Sequence, residues 1–302
     1  MNSQEGPAST SGSSPSAAPS IMECGVVLHP AGHTRSPAMH NAAYQALGLP
    51  ARYYAFDVPP DALPDAVQDF RDRGLRQVAV SIPHKETMMT LVDEVEPVGR
   101  AIGAINTVTR VGDLLVGTNT DWLGAIRALE RETPVDGQRA VVLGAGGTAR
   151  ALTYGLRQRG CEVFVLNRTL SRAQILVEEL GASAAGGLEE LAALVPDIVV
   201  NTTSVGLSEM KSPVAANALA KGMVVLDAVY APERTQLLID AESRGARTVG
   251  GKWMLVYQAV EQLRLWTARL ATPPGTAELE DVVDVMANAF DHAFEHSSRG
   301  SG

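Results

Sequence analysis

Three short segments in the first half of the chain carry the residue types that acid–base chemistry and anion binding require. Ser81-Ile82-Pro83-His84-Lys85-Glu86 follows an apolar run that reads as a strand. A lysine at a strand end can be carried into a cleft, where burial brings its class of group toward acid–base use. Gly117-Thr118-Asn119-Thr120-Asp121 supplies a carboxylate that can pair with such a lysine. His33-Thr34-Arg35-Ser36-Pro37 offers two hydroxyls, two residues apart, just ahead of a helix start, where an anionic carboxylate can be held. Each segment has an equally physical structural reading. Lys85 reads as an exposed lysine in a helix start, and Asp121 and Ser36 as helix N-caps. His84 reads as a packing residue. None of the three decides a chemistry alone.

A fourth segment carries more. Leu143-Gly144-Ala145-Gly146-Gly147-Thr148-Ala149 follows a strand and opens a helix with GxGxxA spacing. Gly144 permits the tight turn, Gly146 lets the backbone approach a pyrophosphate, and Ala149 allows close helix–strand packing. The helix N-terminus then presents free N–H groups to phosphate. The strand–loop–helix context sets this apart from a plain glycine turn. The next strand ends in Leu166-Asn167-Arg168-Thr169, with no acidic residue to hold a ribose 2′-hydroxyl. Arg168, with Arg172 one turn later, can instead meet a 2′-phosphate, which predicts NADP rather than NAD. The competing reading is two solvated surface arginines.

These segments need elements to position them. Cys24 to Leu28, Arg52 to Phe56 and Gln77 to Ile82 read as strands, with helices opening at Ser36-Pro37 and running through Leu63, Val67 and Phe70. Gly48 and Gly74 close those helices. Ala104 to Thr109 and Leu114 to Gly117 flank a Gly112-Asp113 turn and predict a hairpin. From Ala140 a second series alternates strands (140–143, 162–166, 197–200, 223–227) with helices (147–159, 170–180, 233–244), which predicts a parallel sheet. From Lys252 the chain reads as helical apart from a break at Pro273-Pro274-Gly275. The fold class is α/β, in two units.

Composition narrows the remaining possibilities. Of 302 residues, 45% are hydrophobic and 20% charged, as expected of an enzyme with a real core. A net charge of -9 disfavours a nucleic-acid partner. The two cysteines, Cys24 and Cys161, make no CxxC pair, which fits a reducing cytosol. The six histidines show no ligand spacing, so nothing argues for a metal. Residues 1–20 are rich in Ser, Pro, Ala and Gly and read as a disordered tail, not a secretory signal. Residues 297–302 read as a second loose end, and no apolar run is long enough for a bilayer.

Taken in order, the motifs resemble the shikimate dehydrogenase family. The resemblance lies in 33–41, in 80–86, in Gly103-Ala104-Ile105-Asn106-Thr107, in Asn119-Thr120-Asp121 and in the glycine loop. It continues through Asn167-Arg168-Thr169, Asn201-Thr202-Thr203-Ser204-Val205-Gly206, Asp227-Ala228-Val229-Tyr230, Gly251, Met254-Leu255 and Gln258. It covers roughly residues 24–270. It implies a deep cleft between two α/β domains: a discontinuous substrate domain (21–121 and 252–296) and a Rossmann-type NADP domain (122–251). It implies NADP-dependent, reversible reduction of 3-dehydroshikimate to shikimate in the cytoplasm, by a monomer or a homodimer.

The roles implied are specific. Lys85 is the acid–base group and Asp121 its partner. Thr34 and Ser36 hold the substrate carboxylate. Asn106, Asp121 and Gln258 contact ring hydroxyls, with Ser81 and Tyr230 lining the same pocket. Gly144, Ala145, Gly146, Gly147 and Ala149 form the pyrophosphate loop. Asn167, Arg168, Thr169 and Arg172 surround the 2′-phosphate, and Thr203 and Gly251 complete the nucleotide side. Two residues depart from the family pattern: Thr34 stands where Ser is usual, and Ala79 where Asn is frequent. Trp122 is bulky for a cleft edge and is expected to shape substrate entry. Alternative readings are a quinate/shikimate dehydrogenase, a methylenetetrahydrofolate dehydrogenase, whose family does not explain the paired hydroxyls, and a non-catalytic sensor of the same fold.

Overall fold

The structure is a computed structural model that describes residues 21–32 and 34–299; of residues 294–299 only the helical backbone is described. The tail over 1–20, His33 and residues 300–302 lie outside the described residues.

The first unit runs β1 (Met22–Leu28), α1 (Ser36–Ala46), β2 (Ala51–Asp57), α2 (Leu63–Asp72), β3 (Gln77–Val80), β4 (Glu94–Val95), α3 (Pro97–Ile102), β5 (Thr107–Val111) and β6 (Leu114–Thr118). Its sheet has the order β2-β1-β3-β5-β6-β4. β1 pairs in parallel with β2 and β3, whereas β5 runs antiparallel to both β3 and β6. The expected hairpin is therefore present, turning at Gly112 with φ 62°, a left-handed position that suits glycine.

α4 (Asp121–Leu129) leads into the second unit: β7 (Arg139–Leu143), α5 (Gly147–Gln158), β8 (Glu162–Leu166), α6 (Leu170–Leu180), β9 (Ala184–Gly186), α7 (Leu191–Leu194), β10 (Ile198–Asn201), β11 (Val224–Asp227), α8 (Gln236–Ser243) and β12 (Arg247–Val249). These six strands are wholly parallel, in the order β12-β11-β10-β7-β8-β9. Both faces of the sheet are covered. Ala140 and Val142 join one core cluster while Val141 and Leu143 join another, which is why these strands read as unbroken apolar runs. The strand order reverses beside β7, so the loop after β7 opens at the switch point where ligands of such sheets bind.

α9 (Gly251–Thr267) and α10 (Thr276–Arg299) complete the chain. α9 packs on α4 and α10 packs on both α1 and α9, so the C-terminal helices return to the N-terminal unit. The close α4–α9 approach needs Gly124, where a Cβ would lie 2.6 Å from the Met254 carbonyl oxygen. α10 continues through Arg299, so the expected loose end is helix over 297–299. No helix among the described residues is long and apolar enough to cross a membrane.

Candidate active site

Lys85 follows β3 by five residues and meets Asp121, the first residue of α4. Lys85 Nζ donates to Asp121 Oδ2 at 2.6 Å and to Thr148 Oγ1 at 3.2 Å. The two side chains are 12% and 7% exposed, so this is a buried pair and not a surface ion pair. The lysine is thus no exposed helix-start residue. Asp121 is no cap either: Thr120 occupies the N-cap position of α4 and no side chain caps the helix.

A network of amides fixes the carboxylate. Asn106 Nδ2 donates to Asp121 Oδ1 at 2.8 Å, to Thr120 Oγ1 at 3.0 Å and to Gln258 Oε1 at 3.2 Å. Thr120 N donates to Asn106 Oδ1 at 2.7 Å, and Asp121 N to Asn119 Oδ1 at 2.9 Å. Gln258 Nε2 is engaged by the Leu255 carbonyl at 2.8 Å. Strand, hairpin and C-terminal helix therefore each hold one part of the same constellation. Such buried amide networks lock side-chain rotamers around a reacting group.

This constellation lines a cavity of about 200 Å³. Thr34, Ser36, Ser81, Asn106, Asp121, Tyr230 and Gln258 all reach its wall, together with Lys85, Thr203 and Gly251. Ser36 was a candidate N-cap, but Arg35 holds that position in α1 without a side-chain cap. Ser36 N donates instead to Thr34 Oγ1 at 3.4 Å. Tyr230 titrates above its ordinary range because it is buried, an effect opposed by the Arg35 charge and by a hydrogen bond with Thr34. Trp122 does not shape this cavity: it packs edge-on against Tyr154 of α5 at 5.6 Å and lies over Gly155. His84 is buried with Nε2 2.8 Å from the Val58 carbonyl oxygen, a packing role.

A second cavity, of about 100 Å³, adjoins the first through Lys85, Thr148, Thr202 and Ile82 and is walled by Gly146 and Gly147. Gly144 has φ 111°, and a Cβ there would lie 2.6 Å from Thr202 Oγ1. Gly146 differs: the space its missing Cβ would occupy is open, which leaves a cradle for a pyrophosphate against the start of α5. Ala149 is fully buried in the helix–sheet contact, and Ala145 packs partly against the same core. At the end of β8, Asn167 Nδ2 donates to the Thr169 carbonyl at 2.9 Å, and Thr169 is the N-cap residue of α6. Arg168 and Arg172 are exposed on this rim, and neither makes an ion pair among the described residues. Gly251 faces the chain after β11, where a Cβ would come within 2.8 Å of three carbonyl oxygens.

Residues 26–108 match the family model described as the shikimate dehydrogenase substrate binding domain, and residues 127–228 match shikimate / quinate 5-dehydrogenase. The chain belongs to the shikimate dehydrogenase family. A shikimate dehydrogenase (NADP(+)) from Haloarcula marismortui is 45% identical over 80% of this chain and 92% of its own. The Thermus thermophilus shikimate 5-dehydrogenase, solved with NADP(H) and shikimate, is 37% identical with a TM-score of 0.79, covering 88% of this chain and 99% of that one. A ligand-free 5-ketofructose reductase of a Gluconobacter species is 30% identical with a TM-score of 0.77, over 91% and 99%. The family scaffold thus also occurs in a protein named for a different substrate.

Sequence reasoning missed two residues of this dehydrogenase site. Thr148 touches the lysine from inside the glycine loop. Gln262 lines the substrate-side cavity one helical turn beyond Gln258. Its Nε2 donates to the Asn106 carbonyl at 3.2 Å, while its buried Oε1 has no hydrogen-bond partner. That carbonyl acceptor also fixes which way the amide points, since the flipped amide would set oxygen against oxygen.

Proposed function

We propose that this chain catalyses the reversible, NADP-dependent interconversion of 3-dehydroshikimate and shikimate. The observation that carries this reading is the buried Lys85–Asp121 pair at 2.6 Å, facing a cavity whose other walls bear amides and hydroxyls. The residue roles proposed here are those that the family resemblance implies, and the geometry is compatible with them. Lys85 donates a proton to the ketone oxygen in reduction and recovers it in the reverse direction, general acid–base catalysis worth about 10²–10⁴-fold. Asp121, held by Asn106 and by the Asn119 side chain, keeps the ammonium aimed and offsets its burial. Thr34 and Ser36 bind the carboxylate, and Asn106, Gln258, Ser81 and Tyr230 orient the ring. Gly144, Ala145, Gly146 and Gly147 hold the NADP pyrophosphate, and Ala149 lets α5 pack close enough to the sheet to place that loop. Asn167, Arg168, Thr169 and Arg172 meet its 2′-phosphate, and Thr203 and Gly251 complete the nucleotide side. The bound nucleotide supplies or accepts the hydride.

We assign 21–121 with 252–296 to the substrate domain and 122–251 to the NADP domain. Two buried free cysteines, Cys24 and Cys161, suit a reducing cytoplasm. One feature favours a broader substrate range: Ala79 lines the cavity where the family frequently has the larger, polar Asn. The test is NADPH absorbance with shikimate and NADP, with quinate and with NAD in parallel. Turnover with shikimate and NADP is expected. Turnover confined to quinate would reassign the substrate, and saturable binding with no turnover would point to a sensor.

A further inference from the structure

The crossover from β12 into α9 is clamped from outside the cavity. Gly251 lies so close to the chain leaving β11 that a Cβ would sit 2.7 Å from the Ala228 carbonyl oxygen. The first turn of α9 therefore bears directly on the segment that carries Tyr230 to the cavity wall. Lys252, the next residue, does not line the cavity. Its Nζ reaches α10, where it donates to Asp291 Oδ1 at 2.6 Å and Oδ2 at 2.7 Å. The Lys252 side chain is 11% exposed, so the cation is buried. Its Nζ also stands 5.2 Å from the Trp253 ring centroid and 5.7 Å from that of Phe290, both within cation–π reach. Phe290 is fully buried and meets Tyr230 edge-on, with ring centroids 5.9 Å apart. A lysine in the first turn of a helix opposes the helix dipole, so Lys252 gains nothing from the dipole of α9. Apart from the Trp253 ring beside it, its favourable contacts run to α10.

We propose that Lys252, Phe290 and Asp291 form a latch by which α10 positions Tyr230 and the first turn of α9 at the substrate side of the cleft. α10 then determines substrate affinity from a helix that contributes no residue to the cavity wall. The substrate named here rests on the proposed function; the latch itself rests on the contacts between α9, α10 and Tyr230. These are positioning residues, since none of them lines the cavity.

The test compares wild type, Asp291→Ala, Phe290→Leu, Tyr230→Phe and the double variant Asp291→Ala/Tyr230→Phe. Hydrogen–deuterium exchange is read first, because it needs no substrate. Asp291→Ala and Phe290→Leu should raise exchange in peptides over 227–235 and 250–256, with strands β7 and β10 unchanged. Kinetics follow. The shikimate KM should rise roughly tenfold while kcat and the NADP KM stay within about twofold. Adding Asp291→Ala to Tyr230→Phe should raise KM by less than Asp291→Ala does alone, because the hydroxyl that the latch positions is already gone. Unchanged exchange overturns the latch whether or not the wild type turns over shikimate. Additive KM effects in the double variant also overturn it. Altered exchange in a protein inert toward shikimate instead overturns the functional reading and leaves the latch standing.

Discussion

Replacing Asp121 by asparagine tests the centre of the reasoning. Asp121 accepts on both sides: Lys85 Nζ at Oδ2, 2.6 Å away, and Asn106 Nδ2 at Oδ1, 2.8 Å away. An asparagine amide has one acceptor and one donor end. In either orientation its NH₂ therefore confronts a donor, the ammonium or the Asn106 amide, and no flip relieves both. The charge of a pair that is 12% and 7% exposed is lost as well. Breaking one side of a buried pair costs about 3–5 kcal/mol, so urea unfolding should show a loss of that order. Turnover should fall by about 10²–10⁴-fold, since the misaimed lysine no longer delivers its proton. Lys85→Met/Asp121→Leu separates the two effects. Removing both charges should return stability to within about 1 kcal/mol of wild type while activity stays absent. The assay is steady-state NADPH absorbance alongside urea melts. A folded Asp121→Asn variant with kcat within about threefold of wild type would refute the assigned pair, as would an active double variant.

Other outcomes follow from the same geometry. Arg168→Ala should raise the NADP KM by about tenfold or more and leave the NAD KM nearly unchanged if Arg168 meets the 2′-phosphate as proposed; equal KM shifts for both nucleotides would show that Arg168 is only a solvated surface residue. Gln262→Leu should change shikimate KM by several-fold with kcat preserved if the unpartnered Oε1 takes a substrate hydroxyl, and an unchanged KM would place that acceptor outside substrate recognition. Asp227 is pushed up from 3.8 to about 6 by burial, against hydrogen bonds from Thr235, Val229 and Asn201. The folded state therefore holds its proton more tightly, and this group's contribution, full below about pH 4, is lost as pH rises through about 6. Relative to Asp227→Asn, wild-type stability should decline by about 3 kcal/mol across that window, and parallel pH profiles would count against it. His40 has the opposite sign. Burial lowers it from 6.5 to about 3, so its contribution, full above pH 6.5, is lost as pH falls toward 3. His40→Leu should flatten the acid limb of the stability curve, and an equally steep limb would rule the histidine out as its source.

The elements that position the site were legible because they obey strong local rules. β7, β8, β10 and β11 are continuous apolar runs buried on both faces, and their helices open at glycine or threonine starts. The hairpin over 107–118 was marked by its Gly-Asp turn. The elements that were missed, β4, β9, β12, α3 and α7, span two to six residues. A strand of two or three residues exists only through its partner, as Glu94 and Val95 do against Val116 and Gly117, and such pairing has no local signature.

The site divides along the same line. Lys85, Asp121 and the glycine loop each carry a spacing that limits what they can do, and the fold chooses between the catalytic and the structural option. That choice is made by distant residues. Asp121 is no cap because Asn106 and Lys85 approach its two oxygens, and Ser36 is no cap because it is already the first residue of α1, with Arg35 at the N-cap position. Thr148 occupies a position of the GxGxxA loop to which the motif assigns no side chain, yet Lys85 reaches it across 63 residues of sequence. Gln262 did carry a local signal: it lies at i+4 from Gln258, so the two amides share a helix face. A second buried amide one turn beyond a first is therefore worth reading as part of the same wall, and its unpartnered oxygen is what the Gln262→Leu measurement examines.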